Sequence, residues 1–280
     1  MKEISVQHET FNPTKTSTYH LSLQMGMYGY AYTISDTIRK QFVALKKITF
    51  DTPLIGDAFS VKMKEILKTD ILLNKNYKSV SFLFISRKSI LIPESYFDRT
   101  QLKEYLKFHF HLQEFEEIQY NYIAQAKAYD VYSIPSYLTT MLVNKFPQIE
   151  FYHHLNPFLA EVLKMNDQEQ TFLALDIYVS FVQVAYVENG QLKFSNAFEF
   201  GNENDMLYRI LQVAESFSLD KKSVPVNISG HLTSEDSHYK LLEKYFANIS
   251  FRGHHESKDY GYPFQQVDSH LFVNLLSLEQ

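Results

Sequence analysis

Asp176 is the residue whose type and position in this sequence most suggest chemistry. It lies near the end of a short apolar run, LALDI, and two further strand-like runs follow it. A carboxylate at the end of a strand can hold a divalent cation in a nucleotide site when a second carboxylate converges from another element. A structural role is the alternative, because such a carboxylate can also accept N–H bonds from the next turn. The polar residues that the fold brings to Asp176 decide between the two.

Few other acidic residues could join Asp176 in a two-metal site of the nuclease type. The candidates are Glu199, Glu203 and Asp205. That chemistry needs carboxylates from separate elements within a few ångströms of each other, and the strand-like run ending at Ser229 supplies none. We therefore expect no metal site from the acidic residues.

The histidines are no better placed to bind a metal. Neighbouring side chains on a strand point to opposite faces, and side chains two apart on a helix diverge. This geometry separates the members of each close pair, which are His153 with His154, His254 with His255, and His109 with His111. We expect no histidine metal site.

Other familiar chemistry is missing from the sequence. The chain has no cysteine, which excludes thiol catalysis, disulfides and thiolate metal sites. It contains no P-loop, no Gly-x-Ser-x-Gly and no His-Glu-x-x-His motif. The tyrosine-rich run MYGYAY is more simply a strand with one aromatic face than a platform on which nucleic acid bases stack.

Composition narrows the function further. The 280 residues are 45% hydrophobic and 21% charged, as in a folded globular protein, and the net charge of -5 argues against a nucleic-acid partner. Glycine occurs only 8 times, although loops that cradle phosphate need it for close backbone approach. No run reaches the roughly 20 apolar residues of a membrane span, and the first residues lack the apolar core of a secretion signal. We expect a cytoplasmic protein.

The strand-like runs form an internal repeat. Residues 19–50 can be laid over residues 171–200, so that Gln24 falls on Asp176, and both segments read as three strands joined by turns. In the second copy Asn189-Gly190 supplies the turn of a two-residue hairpin. Each copy continues with an amphipathic helix and another strand, which gives the order βββαβ twice. We predict an α/β fold with two mixed five-stranded sheets and helices on both faces.

The first half carries extra elements. We predict an inserted subdomain at about residues 86–128, with Phe97, Tyr105, Phe108, Phe110 and Phe115 close together. This aromatic group is either a partner-binding surface or a small core of its own. The polar residues 165–170 are the best boundary, so we predict a first lobe at 1–168 and a second at 169–280.

The repeat resembles the ribonuclease-H-like, actin-like ATPase superfamily, whose halves share a βββαβα(β)α unit with an aspartate ending the first strand. The branch of the cell-division protein FtsA and the pilus-assembly protein PilM is the most similar. Three passages carry the resemblance: LALDIYVSFVQVAYVENGQLKFSNAFEF, residues 131–163 with their strand, Ser-Ile-Pro and helices, and VNISGHLTSEDSHYKLLEKYF. The chain also resembles the Bacteroidetes family DUF3822, which is assigned this fold.

The resemblance implies a nucleotide cleft between the halves, and the expected motifs are degenerate in this sequence. The aspartate of the first half is replaced by Gln24, while the glycine two residues on is kept as Gly26. The second half keeps Asp176 but has Tyr178 in place of its glycine, where a side chain would occupy the space of a phosphate. At the adenosine turn the glycine pair has become Ser229 and Gly230. We predict a vestigial cleft at these six positions, with no cofactor.

The resemblance allows an interaction role, because FtsA and PilM relatives work largely by recruiting partners. We expect a non-catalytic scaffold or regulatory protein that binds a protein partner. The alternative is a divergent ATP-binding protein or ATPase that uses Asp176 with magnesium. The sequence leaves the partner and the oligomeric state open.

Overall fold

A computed structural model describes residues 2–164, 170–253, 264 and 267–278. The predicted boundary segment 165–169 and the pair His254 with His255 lie outside these residues. The strands are β1 (Lys2–Gln7), β2 (Tyr19–Gly26), β3 (Gly29–Asp36), β4 (Gln41–Thr49), β5 (Ser79–Phe84), β6 (Ser89–Pro93), β7 (Glu116–Ile123), β8 (Ala128–Pro135), β9 (Ile149–His153), β10 (Phe172–Ile177), β11 (Phe181–Glu188), β12 (Gln191–Glu199), β13 (Pro225–Gly230) and β14 (Asn248–Phe251).

The described residues also form α-helices. They are α1 (Gly56–Thr69), α2 (Leu102–Lys107), α3 (Ser136–Lys145), α4 (Leu155–Lys164), α5 (Glu203–Ser216), α6 (Ser237–Leu242) and α7 (Val273–Leu276). None of those in the described part of the chain combines the length and the hydropathy that crossing a membrane requires.

The two large sheets share one topology. The second sheet has the order β12-β11-β10-β13-β14, and the first sheet has the matching order β4-β3-β2-β5-β9 with β1 added at its edge. In both, the first three strands of the repeat are antiparallel and the strands after the helix run parallel. The repeat βββαβ and the mixed α/β fold class are therefore confirmed.

The prediction of five strands in the first sheet was wrong. Strand β1 pairs antiparallel with β4, so that Ile4 lies opposite Lys47 and Val6 opposite Leu45. Ile4 and Val6 are half-buried and pack on apolar residues of the C-terminal segment. Their alternation with polar residues in KEISVQ is the period of a strand with one covered face, and the sequence analysis missed it.

The turns and helix faces explain why the repeat folds this way. Asn189 and Gly190 both have positive φ angles, of 50° and 69°, as the hairpin between β11 and β12 requires. Phe59, Met63 and Ile66 on α1 are buried against the first sheet, and Met206 and Ile210 on α5 are buried against the second. Helix α6 after β13 is short, ending at Leu242, and Tyr245 beyond it is 46% exposed.

The inserted elements form a third sheet of order β6-β8-β7, covered by α2. This sheet continues beyond residue 128, since β8 ends at Pro135. His153 at the end of β9 joins it to the first sheet: its Nδ1 lies 2.9 Å from Asp130 Oδ2 and its Nε2 lies 2.8 Å from the Ser86 carbonyl oxygen. His153 and Asp130 are fully buried, and Ser86 is half-buried.

Each half contributes an element that packs against the sheet of the other half. Helix α4 comes before the second sheet in the chain, yet Phe158 and Val162 pack against Phe172 and Ala185 of that sheet. The C-terminal segment comes after the second sheet, and its Phe272, Leu275 and Leu276 pack against Ala31, Phe42 and Leu45 of the first sheet. Because of this exchange, α4 and α7 meet near the end of β10, where Asp176 lies.

Candidate functional site

Asp176 lies inside the protein with both carboxylate oxygens engaged. Its side chain is 1% exposed. Ser229 donates its hydroxyl to Oδ1 at 2.8 Å, and Tyr178 and Asn274 each donate to Oδ2 at 2.6 Å. These bonds use three of the roughly four acceptor sites of a carboxylate. The expected bonds from backbone N–H groups are absent among the described residues, because side chains make these contacts instead.

Burial and the polar neighbours of Asp176 act on its carboxylate in opposite directions. Burial raises the pKa of Asp176, and the charge of Arg252 together with the three hydrogen bonds opposes that rise. Arg252 is 4% exposed and donates through Nη2 to Asn274 Oδ1 at 3.2 Å. Its guanidinium carbon lies 5.3 Å from the centre of the Phe158 ring, so α4 also covers this group. Asn274 therefore links a buried anion to a buried cation.

Tyr178, which stands where the resemblance expects a glycine, is packed among aromatic rings. Its ring stacks on Phe181 at 4.6 Å between centres and meets the edge of His154 at 4.9 Å. Burial, followed by the nearby Asp176, raises the pKa of Tyr178 well above its usual range. The phenol therefore keeps its proton and serves as a hydrogen-bond donor to Asp176.

The first half contributes no carboxylate at this place. Gln24 lies on β2, opposite Leu83 of β5, where the second half has Asp176 opposite Ser229. Its half-buried side chain lines the cleft between the two sheets. No hydrogen bond joins its amide to any residue in the described part of the chain.

The glycines kept from the nucleotide pattern have structural reasons. Gly230 has a φ of +93°, and a Cβ there would lie 2.2 Å from the carbonyl oxygen of Ile177 on the paired strand. At Gly26 a Cβ would lie 2.9 Å from the Ile85 Cβ. Neither glycine needs a bound phosphate to explain it. Gly26 and Gln24 line the cleft, whereas Asp176, Ser229 and Gly230 are not among its lining residues.

The cleft between the halves is small and mostly apolar. Its volume is about 90 Å³, whereas pockets for ligands of drug size have roughly 300–1,000 Å³. Arg87 and Glu199 close it on one side with an ion pair of 2.6 Å between opposite halves.

The other candidates do not form a metal centre. Glu199 pairs with Arg87, and Asp205 accepts from the Gly201 N–H at 3.1 Å near the start of α5. Across residues 2–164, 170–253, 264 and 267–278, no three His, Asp or Glu side chains converge as ligands. His153 and His154 do come together, with ring centres 4.2 Å apart, but His153 is held by Asp130 and the Ser86 carbonyl.

The aromatic residues of the insertion divide between the two predicted roles. Phe97, Tyr105 and Phe110 are half-buried against Ile92, Leu106 and Val131, so the insertion has a small core. Phe108 is 88% exposed and Phe115 is 72% exposed. Phe115 also lines a groove of about 770 Å³ between the insertion and helices α1 and α3, which adds Tyr137 and Met141.

Sequence reasoning missed three residues of this region: Asn274, Arg252 and Lys47. Asn274 interrupts the apolar run FVNLL, and Lys47 falls on the covered face of β4 when its residues alternate. These signals were available in the sequence. Arg252 follows the short strand β14 and carries no comparable signal.

Two layered halves of one topology, closed around a cleft and exchanging their terminal elements, define this chain as a protein with the actin-like ATPase fold. The particular family follows from its sequence: residues 8–249 match the family described as "Protein of unknown function (DUF3822)", to which the chain belongs. Both the predicted fold and the predicted family are confirmed.

Solved structures agree with this fold. A crystal structure from Bacteroides thetaiotaomicron, described as a protein with actin-like ATPase fold and unknown function, superposes with a TM-score of 0.77 at 17% identity, covering 95% of this chain and 98% of that one. The PilM-PilN type IV pilus biogenesis complex superposes with a TM-score of 0.54 at 10% identity, covering 92% and 97%. No curated protein matches the sequence.

Proposed function

We propose that this chain is a non-catalytic protein of the actin-like fold, which acts as a scaffold or regulatory module by binding a protein partner. The observation that carries this proposal is the enclosure of Asp176. Its carboxylate accepts from Tyr178, Ser229 and Asn274 and is 1% exposed. A carboxylate engaged in this way holds the fold together and has little capacity left for the water shell of a magnesium ion.

Gln24 and the size of the cleft also argue against the binding of a nucleoside triphosphate. Gln24 is neutral where a second carboxylate would be needed, and the cleft of about 90 Å³ is too small for the ligand. The residues present therefore do not fit a magnesium-bound nucleotide, and we derive no reaction through one.

A partner surface is supported by the insertion. Exposed aromatic side chains beside a groove are typical of sites where proteins dock, and Phe115 with Tyr137 and Met141 supplies such a surface. The similar PilM structure is of a complex with PilN. We propose that a partner of this chain docks in the groove beside Phe115.

Thermal unfolding with and without Mg-ATP tests the non-catalytic role. A ligand at 100 times its dissociation constant adds about 2.7 kcal/mol to the free energy of unfolding. We expect no shift of the unfolding midpoint at millimolar Mg-ATP. A shift that Asp176→Ala abolishes would establish the alternative, a divergent ATP-binding protein.

Affinity capture from the native host tests the partner surface. We expect a protein that is retained by the wild type and by Tyr208→Asp, a change at an exposed tyrosine on α5, but lost with Phe115→Asp combined with Met141→Asp. Equal retention by both variants would rule out the groove.

A further inference from the structure

The small cleft is lined by three polar side chains that lack a hydrogen-bond partner in the described part of the chain. They are Gln24 on β2, Lys47 on β4 and His231 after β13. Both halves of the protein thus contribute to the group. Lys47 is buried, and Gln24 and His231 are half-buried. A polar group that is removed from water without a partner costs free energy, so the convergence of these side chains on one cavity points to a ligand.

Lys47 is the most unusual of the three. Its side chain is 8% exposed, and no carboxylate in the described ranges pairs with it. The ring of Phe272, centred 5.3 Å from Nζ, is the contact that stabilises the cation. A buried lysine without an anionic partner is rare, and an anion entering the cleft would supply the missing charge.

The remaining walls restrict what that anion can be. Met27, Ile48, Ile85 and Phe181 make most of the surface of the cleft apolar. Ser86 and Ser180 add hydroxyl groups to its walls, and the charges of Arg87 and Glu199 are paired with each other. The volume of about 90 Å³ is below the roughly 300–1,000 Å³ of sites for drug-sized ligands, so the ligand must be a small molecule. Phosphate would leave several oxygens against apolar walls, whereas a carboxylate with a short alkyl chain satisfies the polar and the apolar lining together.

We propose that the cleft binds a short-chain monocarboxylate, with the carboxylate held by Lys47 and Gln24 and the alkyl chain packed on the apolar walls. Lys47 supplies the charge, and the Gln24 amide supplies an N–H donor. This site is independent of the partner surface, because it shares no residue with the groove beside Phe115. Its failure would leave the proposed non-catalytic role unchanged.

Butyrate is a suitable probe, with chloride at equal ionic strength as the reference. We expect butyrate to raise the unfolding midpoint of the wild type in a saturable manner at pH 7. Lys47→Met abolishes this shift, and Lys222→Met, at an exposed lysine of the second half, leaves it unchanged. Absence of a wild-type shift, or an equal shift in Lys47→Met, would overturn the proposal. So would a shift with inorganic phosphate but none with butyrate.

The pH dependence gives a second readout that needs no variant. Burial lowers the pKa of Lys47 to about 8, so the cation that binds carboxylate is depleted at higher pH. His231 and His270 lie near enough for the charge of Lys47 to act on them, and Tyr178 and the ion pair of Arg87 with Glu199 line the same cleft. The pKa values of both histidines are lowered and that of Tyr178 is raised, so these three stay neutral. Calorimetry should show butyrate binding roughly tenfold weaker or more at pH 9.5 than at pH 7, and equal affinity would contradict the role of Lys47.

Discussion

The hydroxyl of Tyr178 donates a hydrogen bond of 2.6 Å to Oδ2 of Asp176. Tyr178, which stands where the nucleotide pattern has a glycine, thus binds Asp176, the one aspartate of that pattern that this sequence retains. Both side chains are buried. One departure from the nucleotide pattern, Tyr178, and the aspartate that is kept, Asp176, are therefore parts of a single structural contact.

Tyr178→Phe should lower stability, because it removes a donor and leaves the buried carboxylate with two side-chain bonds. We expect the free energy of unfolding to fall by about 1–3 kcal/mol, measured by urea denaturation. Tyr208→Phe is the matched control, since Tyr208 is 62% exposed and should change stability by less than about 0.5 kcal/mol. Equal effects of the two changes would show that the Tyr178 hydroxyl contributes nothing.

Asp176→Asn should change the pH dependence of stability. Burial raises the pKa of Asp176 above its ordinary 3.8. Between that value and the raised native pKa, the folded state holds a proton that the unfolded state has lost, so wild-type stability falls as pH rises. The variant lacks this group, and its stability relative to the wild type should grow from pH 4 towards neutrality. Urea denaturation at several pH values measures this difference, and a difference that shrinks with pH would mean that the native pKa is depressed.

Lys47→Met should stabilise the protein at neutral pH. The pKa of Lys47 falls from 10.5 to about 8 through burial, so the folded state bears the full cost of the buried charge below pH 8. Between pH 8 and 10.5 the folded state releases the proton first, and wild-type stability rises with pH. We expect a gain on the order of 2 kcal/mol at pH 7 that fades towards pH 10.5. Chemical denaturation at both pH values measures it.

Lys46→Met is the control for that experiment. Lys46 is on the opposite face of β4 and binds the buried Asp70 at 2.9 Å, so its loss should destabilise the protein. A destabilising effect of Lys47→Met at pH 7 would contradict the cost assigned to burying the charged amine.

Asn274→Leu should loosen the C-terminal segment from the second half. The change removes the donor to Asp176 and the acceptor for Arg252, while the volume of the side chain stays similar. Two hydrogen bonds to charged groups are lost, at a cost of about 3 kcal/mol. We expect faster amide exchange in α7 together with the lower stability. Ser277→Ala in the same segment should leave exchange in α7 nearly unchanged, and equal protection in both variants would contradict the link.

The fold could be predicted from sequence because its signals are local and repeated. The alternation of apolar and polar residues in 171–200 indicates strands, Asn189-Gly190 indicates a turn, and the apolar face of α1 indicates a helix. The order of these elements then indicates the topology of the sheet. Strand β1 was not predicted, although Ile4 and Val6 alternate with polar residues in the same way. The strand has only three residues on each face, so this alternation is a weak signal. The predicted lobe boundaries stay predictions, as do the roles assigned to the six positions of the nucleotide pattern.

The surroundings of Asp176 could not be predicted in the same way. Asn274 lies 98 positions further along the chain, and its contact depends on how α7 packs on α4. No local sequence pattern indicates a contact between residues so far apart in the chain. The sequence indicated that Tyr178 would obstruct a phosphate, but not that its hydroxyl would bind Asp176, because that depends on the side-chain rotamer.

Isothermal titration of Mg-ATP into the protein tests the central claim most directly. Because Asp176 is enclosed and Gln24 is neutral, we predict no saturable heat up to millimolar nucleotide, in the wild type and in Asp176→Ala alike. Saturable binding by the wild type that Asp176→Ala removes would contradict the account.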